Sequence, residues 1–240
     1  MILEVDAGNS RIKWRIVNQG VVQHSGVVAH DEASWSTIIA CGSGLKRVRV
    51  VNVAGAELAR KLAQWTKKYF QLEAEFAVSQ KATAGVTNGY VVPETLGVDR
   101  WLAVVAGWNM VRKPCLIVDA GSALTVDFVS TGGEHRGGYI VPGLYMMFQA
   151  LYGGTADVRF EQSTDYSQSP GHNTADAVGN GCFVMSAALV DRAFRQLESA
   201  EGSATMLLTG GGAQPFLEHF KERVKYLPDL VLEGLGFALP

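Results

Sequence analysis

The hydrophobic residues in the first half of the chain fall into short runs separated by polar turns, which is typical of strands. Two segments differ, because their apolar residues recur at helical spacing or run on continuously. In residues 56–70, Leu58, Leu62 and Trp65 share one side of a helix. Residues 102–111 form an apolar helix that ends near Lys113. The predicted strands are residues 2–6, 12–17, 21–28, 48–53 and 74–78.

The same succession begins again after residue 114. Strands come first, then a polar loop over residues 153–173, and then helices around one further strand. The predicted strands are residues 116–119, 124–130, 138–141 and 206–209. The predicted helices are residues 175–197, 215–223 and 230–239. This repeated order predicts an α/β protein of two lobes, residues 1–113 and 114–240.

Composition narrows the class of protein. The chain has 240 residues, 48% of them hydrophobic, and a formal net charge of −2, so charge gives no basis for binding nucleic acid or a membrane surface. No apolar run reaches the length of a bilayer span, and the start of the sequence lacks the pattern of a signal peptide. Cys41, Cys115 and Cys182 are widely spaced, which favours free thiols over disulfides or a zinc site. We therefore expect a cytoplasmic protein.

Two turns of the form Asp-x-Gly each follow an apolar run. The first is DAGNS at residues 6–10, ahead of Lys13, and the second is DAGSALTVD at residues 119–127. A carboxylate at a strand end can hold Mg²⁺, which prefers oxygen ligands and keeps several waters. Glycine lets the backbone approach phosphate, and turn amides and small hydroxyls suit anionic oxygens. The pair of turns predicts duplicated lobes that face one nucleotide.

An acid beside a base stands between these turns. Asp99 and Arg100 lie at the predicted entry to the apolar helix. Asp99 could cap the helix or simply pair with Arg100. In a kinase, the same carboxylate could take the proton of an acceptor hydroxyl, while the planar guanidinium binds a substrate carboxylate.

Several other features keep more than one interpretation. The GGG turn at residues 210–212 could contact adenosine or could be a sharp strand-to-helix turn. The GGYIVPG segment at residues 137–143 could line a substrate pocket or form a hairpin before a helix. The five tryptophans are expected to pack in the core. The histidines show no metal-binding spacing and are expected on the surface or in loops; they are His24, His30, His135, His172 and His219.

Six segments together resemble the type III pantothenate kinases, of the acetate kinase, sugar kinase, Hsp70 and actin superfamily. In order they are DAGNSRIK at 6–13, NGY at 88–90, GVDRW at 97–101, DAGSALTVD at 119–127, GGYIVPG at 137–143 and NTADAV at 173–178. The resemblance implies two ribonuclease-H-like α/β lobes and a homodimer. It implies ATP-dependent phosphorylation of pantothenate to 4′-phosphopantothenate, the first step of coenzyme A biosynthesis. It also implies Mg²⁺ and a monovalent cation, K⁺ or NH₄⁺.

Matched residue by residue, the first segment implies a site for the phosphates of ATP, in which Asp6 also organises Mg²⁺. In the second lobe, the resemblance implies that Asp119 holds the monovalent cation and that Ser122 contacts ATP. The family usually has Thr at the position of Ser122, so the hydroxyl is kept and a methyl group is lost. The residues of the first segment are Asp6, Ala7, Gly8, Asn9, Ser10, Arg11, Ile12 and Lys13.

For the acceptor, the resemblance implies that Asp99 takes the proton from the pantothenate hydroxyl. It implies that Thr174 contacts pantothenate from the second lobe or from a partner chain. The remaining residues of the implied pantothenate site are Tyr90, Gly97, Val98 and Arg100, together with Asp99 itself.

Two alternatives to a pantothenate kinase remain at this stage. One is a kinase or phosphatase of the same superfamily with another small acceptor, which the ordered NGY and GVDR segments disfavour. The other is a nucleotide-binding regulatory protein that keeps the fold without turnover. A pure binding module would not need a base, so the presence of Asp99 disfavours it.

Overall fold

The computed structural model describes residues 1–154 and 166–240. Its residues form two compact units. The first consists of Met1–Ala106 together with Asp229–Pro240, and the second of Gly107–Pro228. The predicted domain boundary, between residues 113 and 114, remains a prediction. No helix within the described ranges is long and apolar enough to cross a membrane.

The longer strands of the described chain follow the predicted ones, whereas the short strands β6, β7 and β12 were not predicted. In chain order they are β1 (Ile2–Ala7), β2 (Ile12–Asn18), β3 (Val21–Val28), β4 (Arg47–Asn52), β5 (Ala74–Phe76), β6 (Ala82–Thr83), β7 (Val86–Thr87), β8 (Cys115–Ala120), β9 (Ala123–Val129), β10 (His135–Pro142), β11 (Thr205–Thr209) and β12 (Val224–Tyr226).

The helices include two that the sequence analysis did not assign, α1 and α4. In chain order they are α1 (Ser36–Cys41), α2 (Ala56–Phe70), α3 (Val98–Val111), α4 (Leu144–Gly154), α5 (Thr174–Glu201), α6 (Gln214–Phe220) and α7 (Leu230–Ala238). Short 3₁₀ turns occupy Glu32–Trp35, Pro93–Thr95 and Lys221–Arg223. Of the predicted loop over residues 153–173, residues 153–154 end α4, residues 155–165 lie outside the described residues, and residues 166–173 contain no helix or strand.

Both units contain a five-stranded sheet of the same topology. The strand order is β3-β2-β1-β4-β5 in the first unit and β10-β9-β8-β11-β12 in the second. In each sheet the first three strands form an antiparallel meander, and the last two continue it in parallel. Parallel neighbours require crossover connections, and α2 and the long segment containing α5 provide them. The repeat predicted from the two Asp-x-Gly turns is therefore present as two equivalent sheets.

One face of each sheet is apolar and covered by helices. In the first unit, Leu3, Val5 and Trp14 pack with Leu62 and Trp65 of α2. In the second unit, residues of β8, β9 and β11 pack against α5 and α6 in a core that is again fully apolar. All five tryptophans are buried, as predicted. Because side chains alternate along a strand, Asp6 and Asp119 point to the face opposite these cores.

That opposite face of the first sheet carries a buried ionic network. Glu4 accepts hydrogen bonds from Arg15 at 2.6 Å and from Arg49 at 3.1 Å, and Arg15 also binds Glu233 of α7. Burial lowers the pKa of Arg15, but its hydrogen bond to Glu233 and the charge of Glu4 outweigh that effect, so the pKa is raised. The last helix of the chain is thereby joined to the first strand.

The same helix packs closely on α3. A Cβ on Gly234 would collide with the backbone carbonyl of Leu102, so only glycine permits this approach. The first unit is thus built from both ends of the chain. No local sequence pattern predicts that the last helix returns to it.

Candidate active site

The first candidate loop, residues 8–11, joins β1 to β2. Asp6 and Lys13 lie directly opposite each other in these strands, and directly opposite residues point to the same face. The strand end is also held from its other side, because the carbonyl of Ala7 accepts a 3.0 Å hydrogen bond from the amide of Val53. Ile12 is buried. The exposed residues of the loop are Asn9, Ser10 and Arg11.

The second candidate group lies at the start of α3. Asp99 is the second residue of this helix, so the alternative in which it serves as the N-terminal cap is wrong. The helix begins one turn earlier than the apolar pattern indicated, and a carboxylate in the first turn is favoured by the helix dipole. Asp99 Oδ1 accepts a 2.8 Å hydrogen bond from the amide of Arg100, which fixes the direction of the carboxylate.

Arg100 joins this helix to the preceding loop. Its side chain is buried, and its Nη1 donates a 2.9 Å hydrogen bond to the hydroxyl of Tyr90. The guanidinium carbon also lies 5.7 Å from the centroid of the Tyr90 ring, within the range of a cation–π contact. Two predicted substrate residues ten positions apart are therefore in contact, next to Asp99.

Asn88 holds Tyr90 in this position, a role that the sequence analysis did not assign. Its Nδ2 donates to the carbonyls of Gln80 and Pro93, both at 3.2 Å, and its Oδ1 accepts from the amide of Tyr90 at 3.0 Å. These bonds use both amide hydrogens and the carbonyl oxygen of a buried side chain. An Asn-Gly pair signals a turn, but the two carbonyl partners, on Gln80 and Pro93, come together only in the folded chain.

The equivalent strand end of the second unit carries Asp119. A Cβ on Gly210 would collide with Asp119 Oδ1 and with the carbonyl oxygen of Ala120, so both oxygens lie against this glycine. The backbone of Gly210 has φ +97°, which also favours glycine. The amide of Gly212 donates a 2.8 Å hydrogen bond to the carbonyl of Ala120. The GGG segment therefore forms a strand-to-helix turn against Asp119, and its contact with adenosine stays a prediction.

Ser122 and Thr174 occupy two other positions of the second unit. Ser122 lies in the exposed turn between β8 and β9, and its carbonyl accepts a 3.0 Å hydrogen bond from the amide of Gly143. Thr174 is the exposed first residue of α5, behind the cap Asn173, whose side chain accepts from the amide of Asp176 at 2.9 Å. Thr174 and Cys182 line a cleft of about 680 Å³.

His135 departs from the expectation that the histidines lie on the surface or in loops, whereas His30 meets it and makes a contact of its own. His135 begins β10 and is buried, with its Nε2 2.8 Å from Oδ1 of the equally buried Asp127. Burial of this ring costs less because the carboxylate of Asp127 satisfies Nε2. His30 does follow β3 in a loop, but its Nε2 lies 2.9 Å from the carbonyl of Gly8, within the first candidate loop. Neither contact has a signal in the sequence.

Two of the thiols, Cys115 and Cys182, are buried, and Cys182 lines the cleft that also contains Thr174. Burial raises the pKa of Cys115 to about 12 and also raises that of Cys182. Thiolate chemistry at neutral pH is therefore disfavoured at both positions. Across residues 1–154 and 166–240, no cluster of three or more His, Cys, Asp or Glu side chains could hold a metal ion.

Comparison with known proteins identifies the family. The type III pantothenate kinase family matches residues 2–196. A type III pantothenate kinase of Ectopseudomonas mendocina is 36% identical over all of this chain and 99% of its own length. A type III pantothenate kinase of Pseudomonas putida is 38% identical with the same coverage.

Solved structures give the fold. A candidate Baf family transcriptional activator from Campylobacter jejuni matches with a TM-score of 0.59 at 20% identity, covering 98% of this chain and 95% of that one. Component A of (R)-2-hydroxyglutaryl-CoA dehydratase from Acidaminococcus fermentans matches with a TM-score of 0.51 at 14% identity, covering 99% and 96%. At these identities the likeness concerns the fold alone, and the predicted fold class is confirmed. The matches along the whole length of curated relatives, together with the repeated sheets and the ordered motifs, show that the chain belongs to the type III pantothenate kinase family.

Proposed function

We propose that this protein transfers the γ-phosphoryl group of ATP to the hydroxyl of pantothenate, giving 4′-phosphopantothenate for coenzyme A biosynthesis. The observation that carries the proposal is the group at the start of α3, in a chain of this family. There a carboxylate, Asp99, stands beside an arginine that is fixed by Tyr90. Pantothenate has a hydroxyl at one end and a carboxylate at the other, so it needs a base and a cation within one site.

Asp99 is the proposed proton acceptor. The amide of Arg100 orients one of its oxygens, and a carboxylate has about four acceptor positions, so the group can also receive the hydroxyl proton. The first requirement of general base catalysis is a carboxylate within hydrogen-bonding reach of the hydroxyl. Gly97 supports the placement, because a Cβ there would come within 2.8 Å of Asp99 Oδ1.

Arg100 and Tyr90 are proposed to bind the carboxylate of pantothenate, with Gly97 and Val98 beside them. Arg100 is 7% exposed, so its charge is partly desolvated and attracts a carboxylate more strongly than a surface arginine would. Thr174 is proposed to contact pantothenate as well. Its position on an open cleft of the second unit supports a contact with a small molecule.

Residues 6–13 and Ser122 are proposed to bind ATP. The donor set at Asp6 fits Mg²⁺, because this ion is usually held by one or two carboxylates, substrate phosphates and water rather than by an all-protein cage. When bound, Mg²⁺ neutralises charge on the triphosphate. Lys13, opposite Asp6, contributes a further positive charge at the same strand end.

Asp119 is proposed to hold K⁺ or NH₄⁺. Its carboxylate oxygen and the Ala120 carbonyl lie against the same glycine, and oxygen atoms of these two kinds suit a weakly hydrated monovalent cation. A homodimer is also proposed. Its support is a number of apolar side chains that are exposed on β10, α4 and α5 of the second unit; they are Tyr139, Ile140, Tyr145, Met146, Leu151, Tyr152, Val184 and Met185.

A coupled assay with ATP, Mg²⁺ and K⁺ tests the proposal. Pantothenate should be phosphorylated, with ³¹P NMR showing a phosphomonoester on its primary hydroxyl. Pantothenol, in which an alcohol replaces the carboxylate, is the matched acceptor and should show a KM at least about tenfold higher, since it lacks the charge that Arg100 would bind. Turnover of other hydroxy acids with equal efficiency would favour a kinase of different specificity. Nucleotide binding without any turnover would favour the regulatory alternative.

A further inference from the structure

His30 contacts the loop that is proposed to bind the phosphates of ATP. Its Nε2 lies 2.9 Å from the carbonyl oxygen of Gly8, although the two residues are 22 positions apart. A carbonyl can only accept a hydrogen bond, so the contact assigns the hydrogen to Nε2 of His30. The neutral Nε2–H tautomer and the charged ring can both donate it, so the contact does not require the ring to be charged.

The backbone on both sides of His30 is anchored. The carbonyl of Ala29 accepts a 2.8 Å hydrogen bond from Nε1 of Trp35, which is 0% exposed and packs edge-on against Trp65. On the other side, Asp31 accepts hydrogen bonds from the amide and the hydroxyl of Ser34, at 3.0 and 2.8 Å, and caps the following turn. The backbone that carries the ring is therefore held in place, so less conformational entropy is lost when the contact with Gly8 forms.

The contact fixes the orientation of a peptide group in the loop. The peptide unit is planar and trans, so its carbonyl and its amide point in opposite directions. When His30 holds the Gly8 carbonyl, the amide of Asn9 must point away from His30. A backbone amide in a glycine turn is a donor of the kind that phosphate oxygens require.

We propose that His30 is a positioning residue for ATP, which holds the Gly8–Asn9 peptide so that the Asn9 amide can donate to the triphosphate. The inference rests on the proposed function, since it assumes that residues 6–13 bind ATP. It assigns no proton transfer to His30. Loss of the hydrogen bond should weaken ATP binding and leave the acceptor site and the proton transfer unaffected.

Two substitutions separate the two ring nitrogens. In His30→Gln the side-chain amide nitrogen can reach the position of Nε2, whereas in His30→Asn the shorter side chain places its nitrogen near Nδ1 and leaves the Gly8 carbonyl unbound. We expect His30→Asn to raise the KM for ATP about fivefold, which is the equivalent of one hydrogen bond of about 1 kcal/mol. Its kcat and its KM for pantothenate should stay within about twofold of the original, and His30→Gln should restore the KM for ATP.

The control is His24→Asn, on the exposed part of β3, which should change neither constant. Thermal unfolding of each variant shows whether the fold is intact, and calorimetric titration with ATP gives the binding constant without turnover. The titration separates the inference from the proposed function, because weaker ATP binding in His30→Asn alone supports His30 even if pantothenate is not phosphorylated. Equal ATP binding in His30→Asn and His30→Gln, or parallel changes in both KM values and in the unfolding temperature, would overturn it.

Discussion

Replacing Glu4 by glutamine tests the buried ionic network of the first unit. Glu4 is 2% exposed and binds two arginines, Arg15 and Arg49, which are themselves buried. Glutamine has nearly the same shape as glutamate but no charge. Its NH₂ group would face the N–H groups of an arginine, which are also hydrogen-bond donors. Arg15 keeps Glu233, whereas Arg49 loses the partner that the network provides, and its Nε already has no hydrogen-bond partner within the described residues.

The expected cost is about 3 kcal/mol, at the lower end of the range for breaking a buried pair by removing one partner. In a chain of this length, about 1 kcal/mol shifts the unfolding temperature by roughly 2–4 °C, so a decrease of roughly 6–12 °C is expected. Glu233→Gln is the matched control. The Glu233 side chain is 40% exposed, so this change should cost no more than about 1 kcal/mol.

Calorimetry and urea unfolding measure both variants. A third variant, Glu4→Gln with Arg49→Met, removes the arginine that Glu4→Gln leaves buried and uncompensated. If the reasoning holds, the double variant should be more stable than Glu4→Gln alone, with a coupling of about 1 kcal/mol or more. A cost below about 1 kcal/mol for Glu4→Gln, or equal effects at Glu4 and Glu233, would refute the assignment of a strongly desolvated network.

The remaining predictions concern the proposed site. Asp99→Asn keeps an oxygen for the Arg100 amide, so it should preserve the unfolding temperature and ATP binding while turnover falls by about two to four decades; near-normal turnover would remove Asp99 as the base. Asp6→Ala should raise the Mg²⁺ concentration needed for half-maximal rate more than it changes the KM for pantothenate, and an unchanged Mg²⁺ titration would make Asp6 structural. Turnover should be higher in K⁺ or NH₄⁺ than in Na⁺ at equal ionic strength, and equal rates would reject the cation site at Asp119. Light scattering should give the mass of a dimer, and a fully active monomer would contradict a pocket completed by a partner chain.

The strands and the regular helices could be predicted because their signals are local. The helix α2 has the bounds that its periodicity predicts, since apolar residues at helical spacing continue to both ends. The helix α3 starts at Val98 rather than at residue 102, because the polar pair Asp99 and Arg100 interrupts the apolar run in its first turn. An acidic residue in the first turn of a helix is favoured by the helix dipole, and a pattern of hydrophobic residues does not predict it.

Elements that depend on distant partners were missed. The strand β12 has three residues and exists through its parallel pairing with β11, so the sequence shows no run long enough to predict it. The helix α4 is rich in exposed apolar residues and lacks the contrast of faces that marks an amphipathic helix. The return of α7 to the first unit depends on Gly234 and Glu233, whose partners lie more than a hundred positions earlier.

The motifs indicated the candidate site residues but not the groups that hold them. Tyr90 and Arg100 were both assigned to the substrate, yet their mutual hydrogen bond and the anchoring of Tyr90 by Asn88 needed the folded loop. The same holds for His30, which belongs to none of the matched segments. Residues that touch a ligand recur in short patterns, whereas residues that position them use whatever side chain the local packing allows.

The two sheets repeat one topology but differ in the charges around their equivalent aspartates. Asp6 is paired with Lys13 in the neighbouring strand on one side and with Val51 on the other. One of its two cross-strand neighbours is therefore positively charged. Asp119 occupies the same place in the second sheet, between Thr125 and Thr209, which are neutral and carry hydroxyl oxygens. A carboxylate among oxygen donors attracts a cation from solution more readily than one facing lysine, because lysine already offsets the charge. In the first unit, Lys13 adds a positive charge that suits the proposed triphosphate, which would bring Mg²⁺ with it. In the second unit, the neutral neighbours of Asp119 suit the proposed monovalent cation.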